Sequence, residues 1–270
     1  MRKTIGKLFL ILMLLVIYAP ILILAVYSFT DSGNIGSIHG FSMQNYVTLF
    51  TKGELRDMIV GTVLLALVSS LLATIFGTMG AIGAFYSKKL AKNFINTANQ
   101  IPVVNADVVT GFSICVLLIV AFGMNKESYV PLLIGHVVLS APFVYLSVVP
   151  KLKQMDASLY EAAMDLGASP SMALRKVVIP QIMPGIVSGF ALAITLSLDD
   201  YFIASYTKPA TFNTISTYVV NATKGSQTEI KTALWALSTV IFLIVILAVV
   251  VMNMAGRKTT SEKGGARNEK

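Results

Sequence analysis

The chain has 270 residues, of which 55% are hydrophobic and only 13% charged, about half the roughly 25% charged residues of a soluble domain. That balance excludes an ordinary soluble enzyme and is that of an integral membrane protein. The formal net charge of +8 does not point to nucleic acid, because lysines and arginines fall in short clusters between apolar runs, as the flanking charges of membrane spans do.

A spanning helix needs about 20 predominantly apolar residues, and charge-free runs of that kind recur along the chain. The first covers residues 8–29 and carries Tyr18. Its basic start (Arg2, Lys3, Lys7) is shared with signal peptides, but its apolar core exceeds their 7–15 residues and no small-residue cleavage site ends it. It reads as a retained span. Residues 30–56 form the first external segment, with a turn at Asp31-Ser32-Gly33-Asn34 and a short helix lying on the membrane through Phe41, Tyr46, Leu49 and Phe50.

The second run is 58–87. The third is 108–125, extended upstream past Asp107 and Pro102 towards Ala98, and the fourth is 128–150. After a polar loop over 151–180 come the fifth run, 177–198, an external loop over 206–231, the sixth run, 232–256, and a polar tail over 257–270. With the N-terminus inside, 15 lysines and arginines fall on the inner side and 6 on the outer, so both termini and the 151–180 loop are expected in the cytoplasm. The expectation is an all-α membrane protein of six transmembrane helices, with residues 1–256 as a single membrane domain in contact with lipid. No internal repeat of the kind that marks secondary transporters is visible.

The loop reads as two short helices with a break. Asp156 suits an N-cap, and Met155 and Tyr160 stand at the spacing of a hydrophobic staple. Leu159, Ala162, Ala163 and Leu166 fall on one face, beside an acidic stripe of Glu161 and Asp165. Gly167 suits the position that ends the helix. Ser169-Pro170 reads as cap and first residue of a second helix, and Pro180 as the entry to the fifth span. Two uses of this hairpin are open: lying on the membrane surface, or docking a protein. An acidic helix with a small apolar face favours the protein.

Carboxylates within the bilayer are expensive, and each is a functional candidate. Asp107 opens the third charge-free run. Asp199 and Asp200 end the fifth and are followed by Tyr201, Phe202 and Tyr206. They suit a path for a cation, with cation–π attraction of about 0.5–2 kcal/mol from each aromatic face. The bland alternatives are interhelical pairing and an interfacial aromatic belt. Adjacent aspartates diverge by about 100° on a helix, so Asp199 and Asp200 are not expected to face one lumen together. The one cysteine, Cys115, reads as a small core hydrophobe. His39 and His136 are far apart in sequence and neither has an evident catalytic partner, and there is no Walker-type loop. No catalytic residue, metal or cofactor is expected.

Glu161-Ala162-Ala163, Gly167 four residues on, and Ile179-Pro180 resemble the EAA loop of permease subunits of ABC importers, with Ile-Pro where the family usually has Leu-Pro. Tyr18-Ala19-Pro20-Ile21, Asp165-Leu166-Gly167-Ala168-Ser169 and Leu196-Ser197-Leu198-Asp199-Asp200 are similar to segments of the spermidine/putrescine branch; permeases for iron or phosphonates share parts of them. The resemblance implies a type I importer permease fold. It implies pairing with a second, homologous permease, delivery of solute by an extracellular binding protein, and a loop that docks on a cytoplasmic ATPase dimer. Glu161 would then meet a basic residue of the ATPase, while Ala162, Ala163 and Gly167 allow close approach.

Overall fold

The computed structural model describes residues 2–30, 40–156, 158–224, 232–243 and 246. The turn at Asp31–Asn34, His39, most of the second half of the sixth run and the polar tail lie outside them. The described residues form helices in this order: α1 (Arg2–Ser28), α2 (Gln44–Thr51), α3 (Gly53–Tyr86), α4 (Lys89–Val104), α5 (Asp107–Cys115), α6 (Tyr129–Gln154), α7 (Ser158–Asp165), α8 (Pro170–Ala173), α9 (Ile179–Asp199), α10 (Phe202–Thr207) and α11 (Ile215–Lys224). A further apolar helix, α12, runs Thr232–Leu243. Wider π-type turns extend α5 over Val116–Ala121 and join α8 to α9 over Leu174–Val178.

Among the described residues, four helical stretches are long and apolar enough to cross a bilayer: Gly6–Ser28, Gly53–Tyr86, Tyr129–Gln154 and Pro170–Asp199. The helices fall into two compact units. One comprises Met1–Arg56 with Asn221–Lys270, the other Asp57–Val220. In the first, α1 exposes its apolar side chains from Leu8 to Ile17, as a helix facing lipid or another membrane chain would. Tyr27 meets Trp235 edge-on at 5.7 Å. The end of α1 is tied to α2 by Asn45, whose side-chain amide donates to the carbonyls of Ser28 and Thr30. The expected short helix is present as α2, with Leu49 buried but Phe41 and Phe50 exposed.

The second unit is built on α6 and α9, which pack along each other and against α3. Ala81, Ala84, Val144, Val148, Leu152, Val178 and Ile182 form its core. Glycines replace larger side chains where backbones meet. A Cβ on Gly77 of α3 would lie 2.7 Å from the carbonyl of Ala141, and one on Gly189 of α9 would lie 3.1 Å from Val144 Cα. Without a hydrophobic driving force between helices in lipid, such close approach supplies the dispersion that holds a membrane bundle together.

The third charge-free run does not continue straight upstream to Ala98. Residues 98–104 belong to α4, and α4 is bent by 107° from the stretch Asp107–Ala121. The break is two residues long: Asn105 and Ala106 are extended, with ψ of 149° and 135°. Asn105 then donates its side-chain amide to Thr110 in the first turn of α5. Pro102, which lacks an N–H, weakens the last turn of α4. α4 carries the chain from Tyr86, beside Tyr160 of α7 at 5.0 Å, to Gly111, whose added Cβ would sit 3.1 Å from Ile203 Cα of α10. These are opposite ends of α9. The 16 residues of α4 span about 24 Å, and the helix carries the polar Lys92, Asn93, Asn96, Asn99 and Gln100. Asn96 turns inward and accepts the hydroxyl of Tyr145, whereas Leu90, Phe94, Ile101 and Val104 are exposed.

Candidate functional site

The loop between α6 and α9 is a stiff structure. Asp156 caps α7 from outside the helix: its carboxylate accepts the Ser158 N–H at 3.0 Å and the Ser158 hydroxyl at 2.8 Å. The backbone N–H first, and the hydroxyl second, hold this exposed carboxyl below its ordinary pKa. Met155 and Tyr160, the expected staple pair, both pack against the α6–α9 core. At the other end Ala168 N–H bonds the Ala163 carbonyl at 3.1 Å and Gly167 N–H the Met164 carbonyl at 2.9 Å, the closure of a helix on a left-handed residue. Gly167 has φ +86°. Gly167→Val is expected to cost about 1–2 kcal/mol locally, because a branched side chain is strained there. Faster amide exchange over α7 would report it, with Gly167→Asn milder.

Two expectations for the loop are corrected. Leu159, Ala162, Ala163 and Leu166 do not act as one face: Leu159 and Ala163 are half-buried, while Ala162 and Leu166 are exposed, Leu166 by 89%. Leu166 lies just beyond the last residue of α7, its N–H still bonded to the Ala162 carbonyl at 3.1 Å. The outer surface is instead Glu161, Ala162, Met164, Asp165 and Leu166. The second short helix is not separate either. Ser169 caps it as expected, accepting the Met172 N–H at 3.4 Å with Pro170 first in the helix, but it then runs on through Arg175 and Lys176 into α9. Pro180 is the second residue of α9 within this continuous helix, and the widened turn just before it takes up the missing N–H.

At the far end of α9 the two adjacent aspartates diverge. Asp199 is exposed; Asp200 is 9% exposed and turned into the protein. Its two carboxylate oxygens accept the N–H groups of Ile203 at 3.2 Å and Ala204 at 2.8 Å, satisfying the free donors at the start of α10. Asp107, exposed at the first turn of α5, and Asp199 both lie close enough to act electrostatically on Asp200. Three carboxylates thus gather where α5, α9 and α10 meet. Tyr201 is half-buried, edge-on to Phe202 at 5.2 Å, and Phe112 meets Tyr206 at 5.8 Å. Tyr18 belongs to the other unit, 44% exposed and 6.3 Å from Phe242.

The same corner rests on buried polar side chains of α3, α6 and α9. His136 is buried among polar groups. Its Nδ1 lies 2.9 Å from Ser197 Oγ, which lies 3.1 Å from Ser69 Oγ, and its Nε2 stands 3.7 Å from Asp200 Oδ2. Ser69, His136 and Ser197 lie in the expected apolar runs, where a neutral polar side chain is a signal as much as a charge is.

This architecture matches known proteins. Residues 77–260 match the model of the binding-protein-dependent transport system inner membrane component. The chain belongs to that family. It is therefore a permease subunit of an ABC importer and a multi-pass protein of the bacterial inner membrane. The chain is 30% identical over 243 residues to the spermidine/putrescine transport system permease protein PotC of Haemophilus influenzae, covering 90% of this chain and 92% of that one. It is 28% identical to PotC of Escherichia coli K12 over 92% of each chain. It is 31% identical to the putrescine transport system permease protein PotI of Escherichia coli K12, over 80% and 79% of the two chains. Its fold is shared with a chain in the crystal structure of a bacterial ABC transporter involved in the import of the acidic polysaccharide alginate. There the TM-score is 0.71 at 16% identity, over 93% of this permease and 95% of that chain.

Proposed function

We propose that this permease passes spermidine or putrescine into the cytoplasm, as one half of a pair with a homologous second permease. An extracellular binding protein delivers the solute, and a cytoplasmic ATPase dimer drives the cycle. The chain spans the membrane six times as a single membrane domain, with both termini and the 151–180 loop in the cytoplasm. The 15-to-6 distribution of lysine and arginine supports this orientation.

The observation that carries the solute class is the meeting of Asp107, Asp199 and Asp200 at the end of α9 remote from the loop. Asp107 and Asp199 are the exposed pair, placed to replace the hydration an ammonium group loses on entry. Asp200 supports them as a cap, and Tyr201 adds an aromatic face to the path; Tyr18, the remaining path candidate, lies in the unit of α1. The permeases named for spermidine and putrescine at 28–31% identity point the same way. A potential of 100 mV, negative inside, favours each positive charge by about 2.3 kcal/mol. Entry of a trivalent solute is then downhill by roughly 7 kcal/mol, and the task of the protein is to prevent leak.

The lever is α7. Glu161, Ala162, Asp165 and Gly167 present a small-residue, acidic surface to the ATPase over the half-buried Ala163, and Pro180 lies where the continuous helix leaves the loop for the membrane. Reconstituted with its ATPase, second permease and binding protein, the complex is expected to hydrolyse ATP faster when spermidine is present. No stimulation by spermidine or putrescine would refute the solute reading. Glu161→Ala is expected to lower uptake per ATP hydrolysed by about tenfold, the loss of one charge-assisted contact of some 1.4 kcal/mol, with membrane insertion intact. Unchanged uptake would remove Glu161 from the docking surface.

A further inference from the structure

One buried polar chain serves neither the docking surface nor the exposed carboxylates. Ser69 on α3, His136 on α6 and Ser197 on α9 are at most 1% exposed. They are linked hydroxyl to hydroxyl to Nδ1. The second ring nitrogen of His136 has no hydrogen-bond partner among the described residues. It faces Asp200 Oδ2 at 3.7 Å, beyond hydrogen-bond range, and that oxygen is held by the Ala204 N–H at 2.8 Å. A purely structural buried histidine is normally satisfied on both nitrogens. Here one side is satisfied and the other stops about 1 Å short of a bond.

We propose that His136 is a positioning residue for transport: through Ser197 and Asp200 it sets the place of Asp199, and closing its gap to Asp200 draws the α9–α10 corner towards α6. The inference rests on the reading of Asp199 as a path residue. Asp199 and Asp200 are consecutive, so a movement of the Asp200 carboxylate moves the backbone that presents Asp199. The mechanical connection is also present. α6 and α9 pack along their lengths, with Gly185 and Gly189 of α9 against Ser147 and Val144 of α6. The loop carrying α7 joins their other ends. A displacement of that loop therefore travels along the pair to the point where His136 meets Ser197 and Asp200.

The test uses the whole complex in proteoliposomes. Cys115 is the single cysteine, so a Cys115→Ser background allows one thiol to be introduced by Asp199→Cys. Its modification rate by an impermeant cationic thiosulfonate is measured without nucleotide and with a non-hydrolysable ATP analogue. The rate is expected to change at least about threefold between the two states with His136 present, and not with His136→Leu. His136→Gln, whose amide reaches towards Asp200, is expected to restore the change. His136→Asn, which keeps only the Ser197 contact, is expected to behave as the leucine variant and guards against misfolding. In chains that retain Asp199, His136→Leu is expected to raise the spermidine KM about fivefold with the maximal rate within twofold. An unresponsive thiol with His136 present, an equal response in the leucine variant, or a fall in maximal rate at unchanged KM would overturn the proposal. If the unmodified complex takes up no spermidine, the solute reading fails while the thiol rates still decide the role of His136.

Discussion

Asp199→Asn is expected to lower spermidine uptake by about tenfold or more while the permease still accumulates in the membrane and assembles. The side chain is exposed and accepts no hydrogen bond among the described residues, so the fold does not depend on its charge. A carboxylate 4 Å from an ammonium group gains about 4 kcal/mol at an effective dielectric of 20, partly offset by lost hydration. Tenfold, or 1.4 kcal/mol, is thus a modest share of it. Asp200→Ala is expected to fail differently. It leaves the N–H groups of Ile203 and Ala204 without their acceptors, at a cost of about 1–3 kcal/mol for a buried donor. The yield of folded permease falls, and uptake falls with it. Initial rates of radiolabelled spermidine uptake, normalised to permease in the membrane, separate the two. Normal uptake by Asp199→Asn would remove that residue from the path.

The apolar runs were legible because the bilayer demands them: α1, α3, α6 and α9 lie within or around the expected segments. So was the loop. Capping residues, a left-handed glycine and Ser-Pro each have a local backbone reason, and Asp156, Gly167 and Ser169 occupy the positions those reasons require. The rest depended on distance in sequence. α4 was not legible as a separate helix because Lys92, Asn96 and Asn99 interrupt its apolarity, and Asn96 is accommodated by its meeting with Tyr145. The direction of each aspartate was set by α10: its unpaired N–H groups claim Asp200 and leave Asp199 outside. The role of His136 was illegible for the same reason, since Ser197 lies 61 residues away and the contact exists only once α6 and α9 have paired.

That pairing sets the other large expected effect. α6 is gripped from two sides along Ala141–Lys151. A Cβ on Gly77 of α3 would meet Ala141 O at 2.7 Å and Val144 Cβ at 2.8 Å, and one on Gly185 of α9 would meet Ser147 O at 2.9 Å. The obstructing atoms include backbone, which cannot swing aside as a side-chain tip can, so the helices must separate. Overpacking of this kind costs about 1–3 kcal/mol, and in lipid no hydrophobic gain offsets the lost contact. Gly77→Val is therefore expected to lower the Tm of the purified permease by about 3–10 °C. Gly83→Val, on the same helix with nothing within 4 Å of the added atom, is expected to leave it nearly unchanged. Equal effects at the two positions would mean that helix propensity, not the grip on α6, is being measured. A loss confined to Gly77 and Gly185 would locate the stability of the bundle in the contacts that α3 and α9 make with α6, the helix that runs from His136 at one end to the loop at the other. The permease would then owe its rigidity and its transmission of movement to the same backbone contacts.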